Sequence, residues 1–214
     1  MKRTVTTEEF LGAFRKVEEK DRHLIHAAYT QHRKRTERML GRDGVMATVC
    51  GELTASTGVH MEFKREWYTI DALFVSGEEL VYPPNSPADS RGERLWYPSQ
   101  LDVLIEVEND ERLEEEMWKL LFWRSGLKVL VGYDFYDDEY GEPLGRRNPG
   151  LKKGDWAPRK LDKLREMIRS VHGETGDGSE YLLILGNRSS WAEASQVRWR
   201  WCRIDDPRSV FQSL

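Results

Sequence analysis

Val103-Leu104-Ile105-Glu106-Val107-Glu108-Asn109-Asp110 is the stretch whose reading decides the architecture. Val103 to Val107 reads as a strand, yet Glu106 and Glu108 alternate with Ile105 and Val107, so both carboxylates leave it on one face. Asp110 to Gly126 is helix-length with no breaker before its last residue, and Lys128 to Tyr133, rich in β-branched residues, is the next strand. Upstream, Val59 to Phe63 and Tyr68 to Val75 alternate like strands. Tyr82-Pro83-Pro84-Asn85-Ser86-Pro87 between them and Val103 must be a loop, because prolines cannot pair in a ladder.

Helices flank this segment on both sides. Thr6 and Glu9 form a capping box ahead of Phe10, Phe14 and Val17, and Asp21 is placed to cap a second helix running through Leu24, Ile25, Ala28 and Tyr29 toward Met39 and Leu40. Gly41 and Gly44 interrupt it, and Val45 to Leu53 is a further helix ending before Gly58. On the other side, Pro158 opens a helix with Leu161, Leu164, Met167, Ile168 and Val171 on one face. Tyr181 to Leu185 and Val197 to Ile204 then read as a final strand pair. Helices, three strands, helix, strand, helix and two strands make an α/β protein with a mixed sheet. Residues 1–42 are expected as an N-terminal helical extension and 43–214 as the core, with a basic loop near 137–157.

Composition bounds the function. With 214 residues, one core is expected. A charged fraction of 33% against 39% hydrophobic residues implies a heavily solvated surface rather than disorder. No apolar run approaches the roughly 18 residues of a membrane span. Glu8 and Glu9 stand where a secretory leader would be apolar, so a cytoplasmic protein that meets no membrane is expected. Cys50 and Cys202 lie far apart without ligand spacing, which fits a reducing compartment. A net charge of -4 excludes coating nucleic acid by bulk electrostatics. The charge is uneven, however: Asp102 to Glu142 holds thirteen acids against four bases, and Arg146 to Arg165 holds eight bases against two acids. A metal site beside a phosphate-binding surface would have that layout, as would a highly charged surface by chance. Walker, dinucleotide-binding, nucleophile-elbow and zincin motifs are absent from the sequence.

Asp71, inside the apolar strand from Tyr68 to Val75, is the second unusual acid. An unpaired buried carboxylate costs several kcal/mol, so it is expected to have a partner. Three acids converging from neighbouring strands repel one another unless a divalent cation joins them, and hard oxygen donors suit Mg²⁺ or Mn²⁺. The bland alternative has Glu106 and Glu108 on a solvated strand face and Asp71 paired with an arginine.

An acid in one strand, about 35 residues, then two alternating acids and a helix resembles the PD-(D/E)XK nuclease family, over roughly Asp43 to Tyr133. The resemblance implies a restriction-endonuclease-like αβββαβ core and a magnesium-dependent endonuclease or exonuclease acting on DNA or RNA. Asp71 and Glu106 would ligate the metal with the Val107 carbonyl, and Glu108 would hold a second metal or anchor a lysine. Two positions depart from the family pattern: Thr69-Ile70 stands where a proline often precedes the Asp, and Glu108 stands in the place of the family's lysine. Lys119, on the following helix, is the replacement candidate, as in members that carry the lysine there. With Leu113 at zero on a helical wheel, Met117, Leu120 and Leu121 share one side and Lys119 lies nearly opposite, but Phe122 and Trp123 flank it and leave its direction open. Otherwise Lys119 is an exposed partner of Glu115.

Arg146, Arg147, Lys152 and Lys153 are expected to contact the phosphate backbone. His60 and Glu62 are additional candidates if a hairpin through Arg65-Glu66 sets His60 across from Asp71, and otherwise they line a solvated face. Arg198-Trp199-Arg200-Trp201 is expected to cover the core with its tryptophans and leave its arginines in water. A homodimer is compatible with this chain. The alternative to a nuclease is a module that keeps the fold without catalysis and binds nucleic acid or a protein partner. A third reading is a scaffold whose acidic surface recruits a protein.

Overall fold

A computed structural model describes residues 4–23, 25, 35–67, 69–76, 80–81, 97–98, 101–108, 112–134, 155–187 and 198–214. Helices α1 (Thr7–Lys20), α2 (Arg35–Leu40) and α3 (Val45–Thr57) precede strands β1 (Met61–Trp67), β2 (Ile70–Ser76), β3 (Leu80–Val81), β4 (Tyr97–Pro98) and β5 (Val103–Val107). Then come α4 (Leu113–Leu121), β6 (Leu127–Asp134), α5 (Trp156–His172), β7 (Glu180–Asn187), β8 (Trp199–Arg203) and β9 (Gln212–Ser213). Seven strands form one sheet in the order β1-β2-β5-β6-β7-β8-β9, while β3 and β4 make a separate ribbon. β1, β2 and β5 are an antiparallel meander, β5, β6 and β7 run parallel, and β8 and β9 return antiparallel. The mixed α/β sheet expected from the sequence is therefore present.

Local chemistry explains the helix ends. The Thr6 hydroxyl accepts from the Glu9 N–H while the Glu9 carboxylate accepts from the Thr6 N–H, the reciprocal capping box. Asp21 closes α1, its N–H donating to the Val17 carbonyl, and also opens the next helical segment, its carbonyl accepting from the Ile25 N–H at 3.4 Å. Of the second helix expected there, residues 22, 23, 25 and 35–40 are helical, and residues 24 and 26–34 lie outside the described residues. Gly58 ends α3 at φ 69, a backbone that a residue without Cβ adopts freely.

Each face of the sheet is covered by helices, which is why every residue of β5 and β6 is buried. On one face, Phe10 of α1 stacks on Phe74 of β2 and Phe14 meets Trp199 of β8 edge to face. Residues 1–42 thus contribute α1 to the main core. Because Phe74 points to that face, Asp71 and Leu73 point to the other, where α4 and α5 lie. α4 approaches closely: a Cβ on Gly132 of β6 would stand 2.6 Å from a Leu113 methyl. α5 follows the expected face except that Val171 is exposed near its last turn.

Two strand details differ from expectation. The β1–β2 register pairs Trp67 with Ile70 and Arg65 with Ala72, so the chain reverses beyond Trp67 rather than through Arg65-Glu66. Asp71 therefore falls across from Glu66. His60 precedes β1 at its other end, and both His60 and Glu62 are exposed, with Glu62 in an ion pair with Lys64. In β8, Trp199 is buried as expected and Trp201 partly so, but Arg200 turns onto the buried Asp134 carboxylate and the face of Phe211 instead of water.

Candidate metal centre

Antiparallel pairing of β2 with β5 sets Ala72 opposite Ile105 and Leu73 opposite Leu104. Continuing that register by one residue brings Asp71 opposite Glu106, with both side chains on the α4 face. Asp71 is anchored there, because one of its carboxylate oxygens accepts from the Val107 N–H at 2.8 Å. Leu113, Met117, Leu120 and Leu121 bury the inner stripe of α4, and Glu116 flanks that stripe. One oxygen from each of Asp71, Glu106 and Glu116 lies within 4.8 Å of the others.

Lys119 completes the cluster. Its ammonium donates to Glu106 at 3.2 Å and also to Glu116, one turn earlier. Glu115, the partner offered by the bland reading, pairs with Arg112. Although Lys119 sits well round the helix from the buried stripe, its flexible stem carries the charge back to the sheet, which the wheel alone left open.

Glu106 has an exposure of 0%. As a carboxylate, its Oε1 has no donor within reach. Burial first, then hydrogen bonding with Glu116 and the charge of Asp71, pushes Glu106 up to about 10. The protonated carboxyl can instead donate to its neighbours. Burial likewise raises Asp71, against the lowering influence of the Val107 N–H and Lys119. Burial alone would lower Lys119, but Glu116 and Glu106 hold its ammonium above the ordinary value.

The donor set fits a small hard cation. Octahedral Mg²⁺ binds oxygen at about 2.1 Å, which places its ligands about 3–4 Å apart, and these carboxylates need little movement to reach such spacing. Such a cation would offset the Glu106 charge in place of a proton.

Other candidates fall elsewhere. Glu108 is buried one residue beyond β5, where its N–H extends the ladder to the Val131 carbonyl, and it is not in the three-acid group. Lys128, the neighbouring-strand lysine, is fully buried and donates to Asp177 at 2.5 Å and the Tyr181 hydroxyl at 2.8 Å. Arg146, Arg147, Lys152 and Lys153 lie outside the described residues. Farther along the basic stretch, Lys160 reaches both Glu114 oxygens and Arg165 donates to the carbonyls of Ile204, Asp206 and Ser209, so these two cations hold the fold together. Glu116 was missed by the sequence reading. Its signal was its place beside the Leu113–Leu120 stripe, three residues before Lys119.

No family model matches the chain, and no match was found among curated proteins or solved structures.

Proposed function

We propose that the protein is a metal-dependent nuclease hydrolysing phosphodiester bonds in DNA or RNA, with Mg²⁺ or Mn²⁺ as cofactor. One observation carries this reading: Asp71, Glu106 and Glu116 converge beside the Lys119 ammonium, with a buried Glu106 oxygen lacking a donor. The order helix, three-strand antiparallel meander, helix, parallel strand, from α3 to β6, supports a restriction-endonuclease-like core. A cytoplasmic setting belongs to the same proposal, supported by two free, buried cysteines. Among the described residues no helix is long and apolar enough to cross a membrane.

Asp71, Glu106 and Glu116 would hold the cation, with the Val107 carbonyl as a further donor. When bound, that cation supplies neutralisation of the phosphate charge and a lowered pKa for an attacking water. The Val107 N–H fixes the Asp71 carboxylate, leaving its second oxygen to ligate. Lys119, released from Glu116, orients the attacking water or stabilises charge on the phosphate. Glu108, on the same strand face, anchors the outer side of the site or holds a second cation. Arg146, Arg147, Lys152 and Lys153 grip the nucleic-acid backbone.

One observation favours the non-catalytic binding module. The Lys119 ammonium already lies among the acids and is itself a counter-ion for them. The readings separate on Mn²⁺ titration with melting temperature and cleavage read together. A nuclease gains stability in millimolar Mn²⁺ and loses that gain in Asp71→Asn and Glu116→Gln. A module that has lost catalysis leaves DNA and RNA intact even where Mn²⁺ raises its melting temperature, and a scaffold whose acids are neutralised by Lys119 melts alike in Mn²⁺ and in EDTA.

A further inference from the structure

Two aromatic rings, Trp118 of α4 and Phe122 at its C-terminal cap, face away from the core. Trp118 is 50% and Phe122 is 66% exposed, and their rings meet edge to face with centroids 5.0 Å apart. The other large apolar residues exposed among the described ones, Val171 and Val210, are aliphatic and distant in sequence. The aromatic pair belongs to the helix that supplies Glu116 and Lys119. Phe122 follows Lys119 by three residues, which puts their Cβ atoms about 5–6 Å apart on the helix surface. The rings therefore border the flank from which Lys119 reaches Glu106.

We propose that Trp118 and Phe122 form a stacking platform for an unpaired nucleobase, so that the strand presented to the acid cluster is single-stranded. The inference rests on the nuclease reading for its substrate class and adds which form of nucleic acid is taken. Inside a duplex both faces of a base are already stacked, whereas an unpaired base offers a π-face that matches an exposed aromatic pair. The surroundings suit a strand better than a protein. Arg112 and Glu115 on the same helix are exposed and charged, as is Arg124 just past it, so the apolar patch is two rings. A stable protein interface buries about 800 Å² on each side with an apolar centre. A nucleotide needs only the rings and a cation for its phosphate, and Arg124, exposed two residues beyond Phe122 in sequence, is the residue offered for that role.

The test measures binding separately from cleavage. In EDTA, fluorescence anisotropy of labelled oligothymidylate, oligouridylate, their abasic counterparts and a blunt duplex is followed for wild type, Trp118→Phe and the double variant Trp118→Ala/Phe122→Ala. Circular dichroism shows that each variant is folded. The double variant should bind unpaired strands about tenfold or more weakly, Trp118→Phe should retain most affinity, and abasic and duplex ligands should be unaffected. The thymidylate and uridylate arms show whether DNA, RNA or both are held. Unchanged single-strand affinity in the double variant, or an equal loss on the abasic strand, overturns the platform. So does a wild-type dimer that the double variant dissolves, because the rings would then be covered by a second copy. Cleavage in Mn²⁺ scored beside binding separates the two readings: cutting of unpaired strands that survives loss of both rings rejects the platform alone. Stacking without cutting rejects the nuclease alone.

Discussion

Replacing Glu106 with glutamine should stabilise the metal-free protein while abolishing its response to metal. Glu106 is fully buried and its carboxyl is raised to about 10. Folding therefore takes up a proton at this position. A raised carboxyl gives its full contribution below the unfolded value near 4.5 and loses it as pH climbs toward the folded value. Each pH unit in that window costs about 1.4 kcal/mol, which amounts to about 3 kcal/mol by pH 7. Glutamine matches the neutral carboxyl in shape, can donate toward Glu116 as the protonated acid does, and carries no titration. Allowing for relaxation around Lys119, Glu106→Gln should exceed wild type by about 1–3 kcal/mol at pH 7, with the advantage shrinking toward about pH 5. Urea unfolding in EDTA across this range measures it. Millimolar Mn²⁺ should then raise wild-type stability by mass action and leave the variant unchanged. A variant less stable than wild type at pH 7, or a difference that does not vary with pH, would mean that Glu106 is ionised in the folded apoprotein.

Three other substitutions probe separate parts of the structure. Lys119→Ala should lower the cleavage rate by about two to four orders of magnitude with little change in substrate affinity, and a wild-type rate would reduce Lys119 to a counter-ion. Lys128→Met should cost about 1–3 kcal/mol in thermal or urea unfolding, because it leaves the Asp177 carboxylate with only the Tyr181 hydroxyl, the Ser179 N–H and solvent in place of its ammonium partner. Wild-type Asp177 is held near 2 by Lys128 and the Ser179 N–H against the opposing effect of burial, so its contribution persists above the ordinary carboxylate value near 3.8 and is lost as pH falls toward 2. In Lys128→Met that acid limb should shift upward. Changing Arg146, Arg147, Lys152 and Lys153 to Ser should flatten the salt dependence of duplex DNA binding by about 0.9 per lost contact, and an unchanged slope removes the loop from the interface.

Much of the fold was legible because its signals are local. The Thr6–Glu9 box, the glycines after Leu40 and the apolar periods of α4 and α5 each act within a few residues, and the elements they mark are present. Asp71 and Glu106 were legible for a related reason: a carboxylate inside an apolar strand conflicts with its surroundings, and that conflict is visible without coordinates. What failed depends on how elements meet. The third acid of the cluster comes from α4 rather than from Glu108, because the helix crosses the strand face with Glu116 turned inward, and no period in β5 encodes that crossing. The hairpin register moved because neither Arg65 nor Glu66 is a turn-forming residue, so β1 extends to Trp67 before reversing. Arg200 was expected in water, yet the strand order places it beside Asp134, a pairing 66 residues apart that only the completed sheet creates.

Incubation of the purified chain with mixed single- and double-stranded DNA and RNA, in Mn²⁺ and in EDTA, bears most directly on the proposed activity. Products should form in Mn²⁺, disappear in EDTA, and be missing in both solutions for Asp71→Asn and Glu106→Gln. Intact nucleic acid in Mn²⁺ beside a protein whose melting temperature has risen with the metal would contradict the nuclease, as would cleavage that survives EDTA or the loss of Asp71.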